Sequence, residues 1–174
     1  MGGGHDYGFP DTSAYYQVHG GKILNVDAHL DVRSVVKNKI NSGTPFYRFA
    51  KRFGGQNIIQ WGIQKASNST SLFQFAKEQK MKVLSYERPM PQLRFKIGLS
   101  ICLDAFQGVR GVSAPAMLGL QKSQGIELIK SYANRAAWMG IYECAPRLDP
   151  LTEDSARFAA LLIWQYLHKM GKQK

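Results

Sequence analysis

Lys22-Ile23-Leu24-Asn25-Val26-Asp27-Ala28-His29-Leu30-Asp31 is the stretch on which the reading of this chain turns. Its first half is a short run of apolar and β-branched side chains, the pattern of a buried strand, and the strand ends at Asp27. Its second half puts Asp27, His29 and Asp31 at alternate positions, so that in extended or just-turning backbone all three point the same way. Two carboxylates and an imidazole on one side repel strongly unless a cation offsets them. A metal site follows naturally, although the pentapeptide alone also fits a solvated strand end with unrelated polar residues.

Working outward, similar apolar runs recur at Asn57 to about Ile63, Lys82 to Tyr86, Lys96 to Leu103 and Ala137 to Tyr142. Helical spacing intervenes at Ser71 to Lys80 and from about Ser123 to Arg135, and a last helix starts near Thr152. In that helix Phe158, Leu161, Leu162, Trp164 and Leu167 form a broad apolar face expected to pack on the sheet. Alternating strands and helices predict an α/β fold with a mainly parallel sheet between helical layers, in one domain over residues 1–174. Acidic residues fall where the strands end, at Asp27, Asp104 and Glu143. Open α/β sheets bind ligands just beyond those ends, so the three are expected to converge if their strands are neighbours.

The 174 residues, 44% of them hydrophobic, suffice for a single buried core. The formal charge of +11 raises the alternative of a nucleic-acid-binding domain. The basic residues are dispersed (Lys37, Lys39, Arg48, Lys51, Lys77, Lys82, Lys172, Lys174), without interleaved aromatic stacking positions, which makes nucleic acid the weaker reading. The two cysteines, Cys102 and Cys144, sit in apolar runs read as strands and give no disulfide framework. No apolar run reaches the ~20 residues that span a bilayer, and the first residues lack the pattern of a signal peptide. A cytoplasmic location is expected.

A second cluster supports the metal reading. His5 follows Gly2-Gly3-Gly4, which lets the backbone approach a site closely, and Ser100-Ile101-Cys102-Leu103-Asp104 puts Cys102 and Asp104 on one face of another strand end. His5, Asp27, His29, Asp31 and Asp104 together offer oxygen and nitrogen donors suited to Mn²⁺ and tolerable to Zn²⁺ or Fe²⁺.

Gly-Gly-Gly-His at 2–5, Asp-Ala-His-x-Asp at 27–31 and Ser-x-Cys-x-Asp at 100–104 resemble the three metal motifs of the ureohydrolase superfamily of arginase, agmatinase and formimidoylglutamase, in the same chain order. The resemblance runs from His5 to the last helix and implies a three-layer arginase-like fold with a binuclear manganese site. It implies that His5, Asp27, Asp31 and the Cys102 position hold one Mn²⁺, and Asp27, His29, Asp104 and the Cys102 position the other. Two such ions lower the pKa of a shared water. Asn41-Ser42-Gly43-Thr44-Pro45-Phe46 resembles formimidoylglutamase, whereas arginases and agmatinases carry a histidine in that loop. Asn41 and Ser42 are expected at the substrate, with Ser42 also at the catalytic centre. By the same resemblance Arg33 is placed to grip a carboxylate of the substrate, and Glu143, in Tyr-Glu-Cys-Ala-Pro, to receive its amidine-like group. The implied reaction is hydrolysis of N-formimidoyl-L-glutamate to L-glutamate and formamide in histidine breakdown, by a chain that could form homo-oligomers.

Three departures matter. Cys102 stands where most of the superfamily has a bridging aspartate, and a buried neutral thiol would weaken the second metal site. The Gly-His motif begins at residue 2, so the early strands of the fold are expected to be missing and one sheet edge exposed. Between Tyr86 and Lys96 there is no room for a crossover helix, and the loop from Ala105 to Ser113 is short. These departures leave open a non-catalytic relative, or another ureohydrolase such as an agmatinase or arginase. His19 is read as a loop residue and His168 as the end of a helix, neither a ligand, and Phe46-Tyr47-Arg48-Phe49 as helix-core packing.

Overall fold

The computed structural model describes residues 3–149 and 151–171. Gly2 of the glycine-histidine motif, with Lys172 and Lys174 of the basic tail, lies outside the described residues. Five strands form one parallel sheet: β1 (Lys22–Val26), β2 (Ile58–Ile63), β3 (Lys82–Ser85), β4 (Ile97–Cys102) and β5 (Ala136–Tyr142). Their order is β3-β2-β1-β4-β5. The helices are α1 (Gly8–His19), α2 (Pro45–Phe53), α3 (Thr70–Glu78), α4 (Lys122–Tyr132) and α5 (Asp154–Gly171). The α/β expectation holds, with each strand found within one or two residues of where the sequence places it.

A parallel sheet must be covered on both faces, and the alternation within the strands does this. Leu24, Val26, Ile59, Trp61, Leu99 and Ile101 face one way, into a core with Leu128 and Ile129 of α4 and Phe158 and Leu162 of α5. Ile23 and Ile58 face the other way, onto Tyr15 of α1, Phe46 and Phe49 of α2 and Ala76 of α3. Ile63 joins this second face because the ladder slips between Trp61 and Ile63. The extra residue is Gly62 at φ +99°, and a side chain there would meet the Asp27 carbonyl at 3.0 Å. The bulge inverts the facing of the last residue and brings β2 against the chain leaving β1.

The topology locates the functional end. From β1 the chain steps outward through β2 and β3, then returns to the opposite side of β1 for β4 and β5. The switch point lies between β1 and β4, paired from Lys22↔Ile97 to Val26↔Ile101, and the crevice beyond their carboxyl ends is where ligands bind in such sheets. The return from β3 to β4 has no helix, as its length foretold, and is pinned instead: Trp61 Nε1 donates to the Arg88 carbonyl at 3.0 Å, and Tyr132 to that of Pro91.

Some expectations need correction. Residues 8–19 form α1, which the sequence reading left without a helix, so His19 closes a helix instead of lying in a loop. The buried side of α1 is Gly8, Thr12, Ser13 and Tyr15, which makes no apolar stripe. It packs closely because β4 offers Gly98, where any side chain would strike the Tyr15 ring at 2.6 Å. In α5 only part of the expected apolar face is covered: Phe158 and Leu162 are buried, while Leu161, Trp164 and Leu167 are 44%, 56% and 61% exposed. The helix lies on the sheet along a narrow stripe. Cys144 falls after β5 and not within a strand.

Candidate metal centre

Each acidic or imidazole side chain is delivered by backbone that leaves the regular element just as the residue is reached. Asp27 follows β1 directly, its N–H still donating to the Trp61 carbonyl at 3.0 Å. Its carboxylate then folds back to accept the His29 N–H at 2.8 Å, which turns the chain and swings His29 toward β4. Asp31 sits at φ +51°, a left-handed position rare for a side-chain-bearing residue. The turn lets its carbonyl accept the Phe46 N–H at 3.0 Å at the start of α2, and its carboxylate points back to the crevice. Asp104 lies in a single 3₁₀ turn after β4 (Leu103–Ala105). His5 opens another such turn (His5–Tyr7) before α1.

These side chains meet. His5 Nδ1 lies 2.9 Å from Asp27 Oδ2 and 3.0 Å from Asp31 Oδ2. His29 Nδ1 lies 3.0 Å from Asp104 Oδ2 and 3.6 Å from Asp27 Oδ1. Donor atoms of His5, Asp27 and Cys102 fall within 4.8 Å of one another, as do those of Asp27, His29 and Asp104. Asp27 belongs to both groups, one oxygen toward each histidine. All the expected metal-ligating residues are thus brought together, with Asp27 between two donor sets.

The donor geometry fits a cation. Despite two carboxylate oxygens at hydrogen-bonding distance, the buried His5 Nδ1 makes no hydrogen bond, because neither oxygen lies in line with it. An imidazole nitrogen close to oxygens of two carboxylates, in a buried place, is a donor set that a cation can satisfy. The other ring nitrogen, Nε2, is 3.0 Å from the Ser100 hydroxyl. In the tautomer that donates Nε2–H to Ser100, Nδ1 is left as a free lone pair beside the carboxylates, the usual way a ligating imidazole is oriented. The ring itself is fixed by stacking on Tyr142, with centroids 4.6 Å apart.

Electrostatics agree. Burial alone would lower His5, but its contacts with Asp27 and Asp31 outweigh that and hold it up at about 10. The Asp104 and Asp27 contacts hold His29 up at about 11. Burial, then the charge of Asp27, pushes Asp31 up to about 6 and Asp104 up to about 7. Burial would raise Asp27 too, yet the two histidines overcome it and keep this carboxyl below the usual range. Positive charge is what the cluster demands, from protons or from a metal. Burial and the three carboxylates raise the Cys102 thiol well above its ordinary value.

The crevice is a cavity of about 160 Å³ whose lining includes His5, His29, Asp31, Cys102, Asp104 and Glu143 together with Arg33, Ser42 and Gly43. Glu143 stands at φ +59°, held by its N–H to the Gly3 carbonyl at 2.9 Å. Its carboxylate accepts the His5 N–H at 3.0 Å and the Ser113 hydroxyl at 2.5 Å. Ser42 faces the cavity as expected. Asn41 does not: its side-chain oxygen accepts the Gly43 N–H at 3.0 Å, and it lines a neighbouring hollow. Sequence reasoning missed Ser113 and the orienting role of Ser100. Ser100 was within reach, since it shares with Cys102 and Asp104 the alternate positions of β4. His19 and His168 lie outside the crevice lining, His168 stacked on Trp164 at 5.0 Å.

The parallel α/β sheet thus carries an imidazole–carboxylate cluster at its switch point, where open sheets of this class bind their ligands. The chain belongs to the arginase family, which matches residues 1–168. It is 29% identical to a formimidoylglutamase of Staphylococcus aureus (strain JH9) over 188 aligned positions, 96% of this chain and 60% of that protein. The crystal structure of formimidoylglutamase from Bacillus subtilis has the same fold at a TM-score of 0.86 and 24% identity, over 97% of this chain and 59% of that one. A Trypanosoma cruzi formiminoglutamase crystallised with Mn²⁺ matches at a TM-score of 0.84 and 21% identity, over 95% of this chain and 62% of that one. The chain spans about 60% of the length of the curated relatives it matches. Among the described residues no helix is long and apolar enough to cross a membrane.

Proposed function

We propose that this chain is a manganese-dependent hydrolase of the C–N bond of a linear amidine, acting on N-formimidoyl-L-glutamate in the cytoplasm to give L-glutamate and formamide. The observation that carries the metal part is the pair of donor sets that share Asp27, one with His5 and Cys102 and one with His29 and Asp104, each with its donor atoms within 4.8 Å of one another. His5, Asp27 and Asp31 with Cys102 would hold one Mn²⁺, and Asp27, His29 and Asp104 the other. Two Mn²⁺ ions there supply a water acidified to act as a nucleophile near neutral pH. The residues of the chain do the rest. Glu143, clamped by the His5 N–H and Ser113, holds its carboxylate toward the cavity where an amidinium can sit against it. Arg33, which lines the same cavity, suits a carboxylate in the bidentate way of a guanidinium. Ser42 lies where it can hydrogen-bond the substrate between these poles. The substrate has a cationic and an anionic end, and so, in reverse, does the cleft.

Metal analysis coupled to a formamide-release assay tests this, in wild type and in Cys102→Asp. Two manganese ions per chain with turnover support the reading; no turnover in either protein ends it. Cys102 favours one second reading, a metal-binding relative without catalysis, because its thiol is buried and held protonated by its surroundings. Activity that appears only in Cys102→Asp would establish that reading for the wild type.

A further inference from the structure

The two donor sets that share Asp27 are not chemically alike. A ring nitrogen of His5, an oxygen of Asp27 and the Cys102 sulfur lie within 4.8 Å of one another, and all three residues are buried. The other set, Asp27, His29 and Asp104, brings only oxygen and nitrogen, and its His29 is half-buried. One cluster therefore has a soft end and a hard end. Cys144, half-buried after β5, belongs to neither set.

The soft end is built by one face of one strand. Ser100 and Cys102 stand two residues apart in β4 and point the same way, opposite to Leu99 and Ile101, which enter the core with α4 and α5. The Ser100 hydroxyl is 3.0 Å from His5 Nε2, so β4 brings to a single imidazole both a partner for one nitrogen and a sulfur near the ring. His5 Nδ1 is buried without a hydrogen bond, 2.9 Å from an Asp27 oxygen and 3.0 Å from an Asp31 oxygen. A buried polar atom without a partner is costly unless a ligand satisfies it. With carboxylates and a sulfur beside it, that ligand is a cation.

Sulfur changes which cation wins. Nitrogen, oxygen and sulfur sites in general bind Zn²⁺ more tightly than Mn²⁺, and a thiolate widens the gap, because soft sulfur suits Zn²⁺ while Mn²⁺ favours carboxylate and water oxygen. A coordinating thiol gives up its proton to the charge of the ion. An aspartate in place of Cys102 would make both ends of the cluster hard.

We infer that the cluster sorts metals: when both ions are offered, His5, Asp27 and Cys102 take Zn²⁺ while Asp27, His29 and Asp104 keep Mn²⁺. Mn²⁺ offered alone fills both sets. This deepens the proposed function and rests on it for the use to which the ions are put. Cys102 is then a selectivity device, and the two positions of the centre differ in the ion they prefer.

Co²⁺ is the probe, since a thiolate bound to it gives a charge-transfer absorption in the near ultraviolet that nitrogen and oxygen donors do not. The full chain as wild type, Cys102→Ser and Cys144→Ser is titrated with Co²⁺ while bound metal is counted, and then with Zn²⁺ against a Mn²⁺ background. Wild type and Cys144→Ser should develop the band with one equivalent of Co²⁺, and one equivalent of Zn²⁺ should displace a single Mn²⁺ and leave the other. Cys102→Ser should bind Co²⁺ without the band, and its preference for Zn²⁺ over Mn²⁺ at this position should fall about tenfold or more. Two bound Co²⁺ without the band in the wild type, or a band that survives in Cys102→Ser, overturns the sulfur site. The first of these is read on the wild type alone, so poor folding of a variant does not shield the inference. Formamide release by the Mn²⁺-loaded wild type is read separately: the band without turnover refutes the hydrolase reading alone, and turnover with two ions but no band refutes the metal sorting alone.

Discussion

His5 meets the Ser100 hydroxyl through Nε2 at 3.0 Å while Nδ1 faces Asp27 and Asp31. Ser100→Ala removes the partner and frees the ring to take either tautomer. Loss of such an orienting contact costs about tenfold to a hundredfold in metal affinity. Titration with Mn²⁺ checks this. Unchanged affinity would show that Ser100 merely fills space.

Gly8 supports the same ring from the other side. A Cβ there would lie 2.8 Å from His5 Cδ2, in a helix whose N-terminus is also packed on Pro45. Gly8→Ala should therefore displace the imidazole and weaken Mn²⁺ binding. Gly→Ala in a helix ordinarily gains up to about 1 kcal/mol of stability, so a folded protein that binds metal poorly is the expected result. Undiminished binding would mean the ring has room to move.

The titration of the cluster has a definite sign. In chelator-treated protein, folding raises His5 to about 10 and His29 to about 11 from an ordinary 6.5. Their contribution to stability is complete below pH 6.5 and is lost as pH rises through those values. Asp31 and Asp104, raised to about 6 and about 7 from 3.8, cost stability earlier, as pH rises from 3.8 through those values. Asp27, held low, contributes fully above 3.8 and loses its contribution only in acid. Metal-free protein should accordingly lose thermal stability steadily from about pH 4 to about pH 11, first as Asp31 and Asp104 ionise and then as the histidines lose their protons. Mn²⁺ binding should tighten over the same range and release protons. Calorimetry in two buffers of different ionisation enthalpy measures the release. No proton release would contradict the shared demand of protons and metal for one site.

Much of this was legible in the chain. Alternate spacing made Asp27, His29 and Asp31 point one way, and the apolar runs gave the strands whose ends carry Asp104 and Glu143. What the sequence hid was set by tertiary contacts. α1 has no apolar stripe, because Gly8, Thr12 and Ser13 pack by closeness and not by hydrophobicity. The clamp on Glu143 joins Gly3, His5 and Ser113 across the whole chain, which no local pattern encodes. The outward face of α5 was misread because periodicity shows how wide an apolar stripe is, not how much of it a neighbour covers.

That difference in α5 can be measured. Leu162 is fully buried against the sheet and Trp164 is 56% exposed. Leu162→Ala should destabilise by about 2–5 kcal/mol, and Trp164→Ala by about 1 kcal/mol or less. Chemical denaturation of both variants settles the order. The reverse order would mean the helix presents its other side to the core.

Glu143→Gln separates holding from chemistry. The amide oxygen can still accept the His5 N–H, so fold and metal content should persist. The charge that faces an amidinium is gone, and turnover should fall about a hundredfold or more. Formamide release at equal metal loading reports it. Full activity would remove Glu143 from the site.

The most direct test of the central claim is manganese stoichiometry by equilibrium dialysis in wild type and Asp27→Ala. One side chain reaches both donor sets, through Oδ2 to His5 and Oδ1 to His29. Two ions per chain in the wild type, both lost in Asp27→Ala, is the predicted result. Binding that survives the substitution unchanged, or that is absent from the wild type, would contradict it.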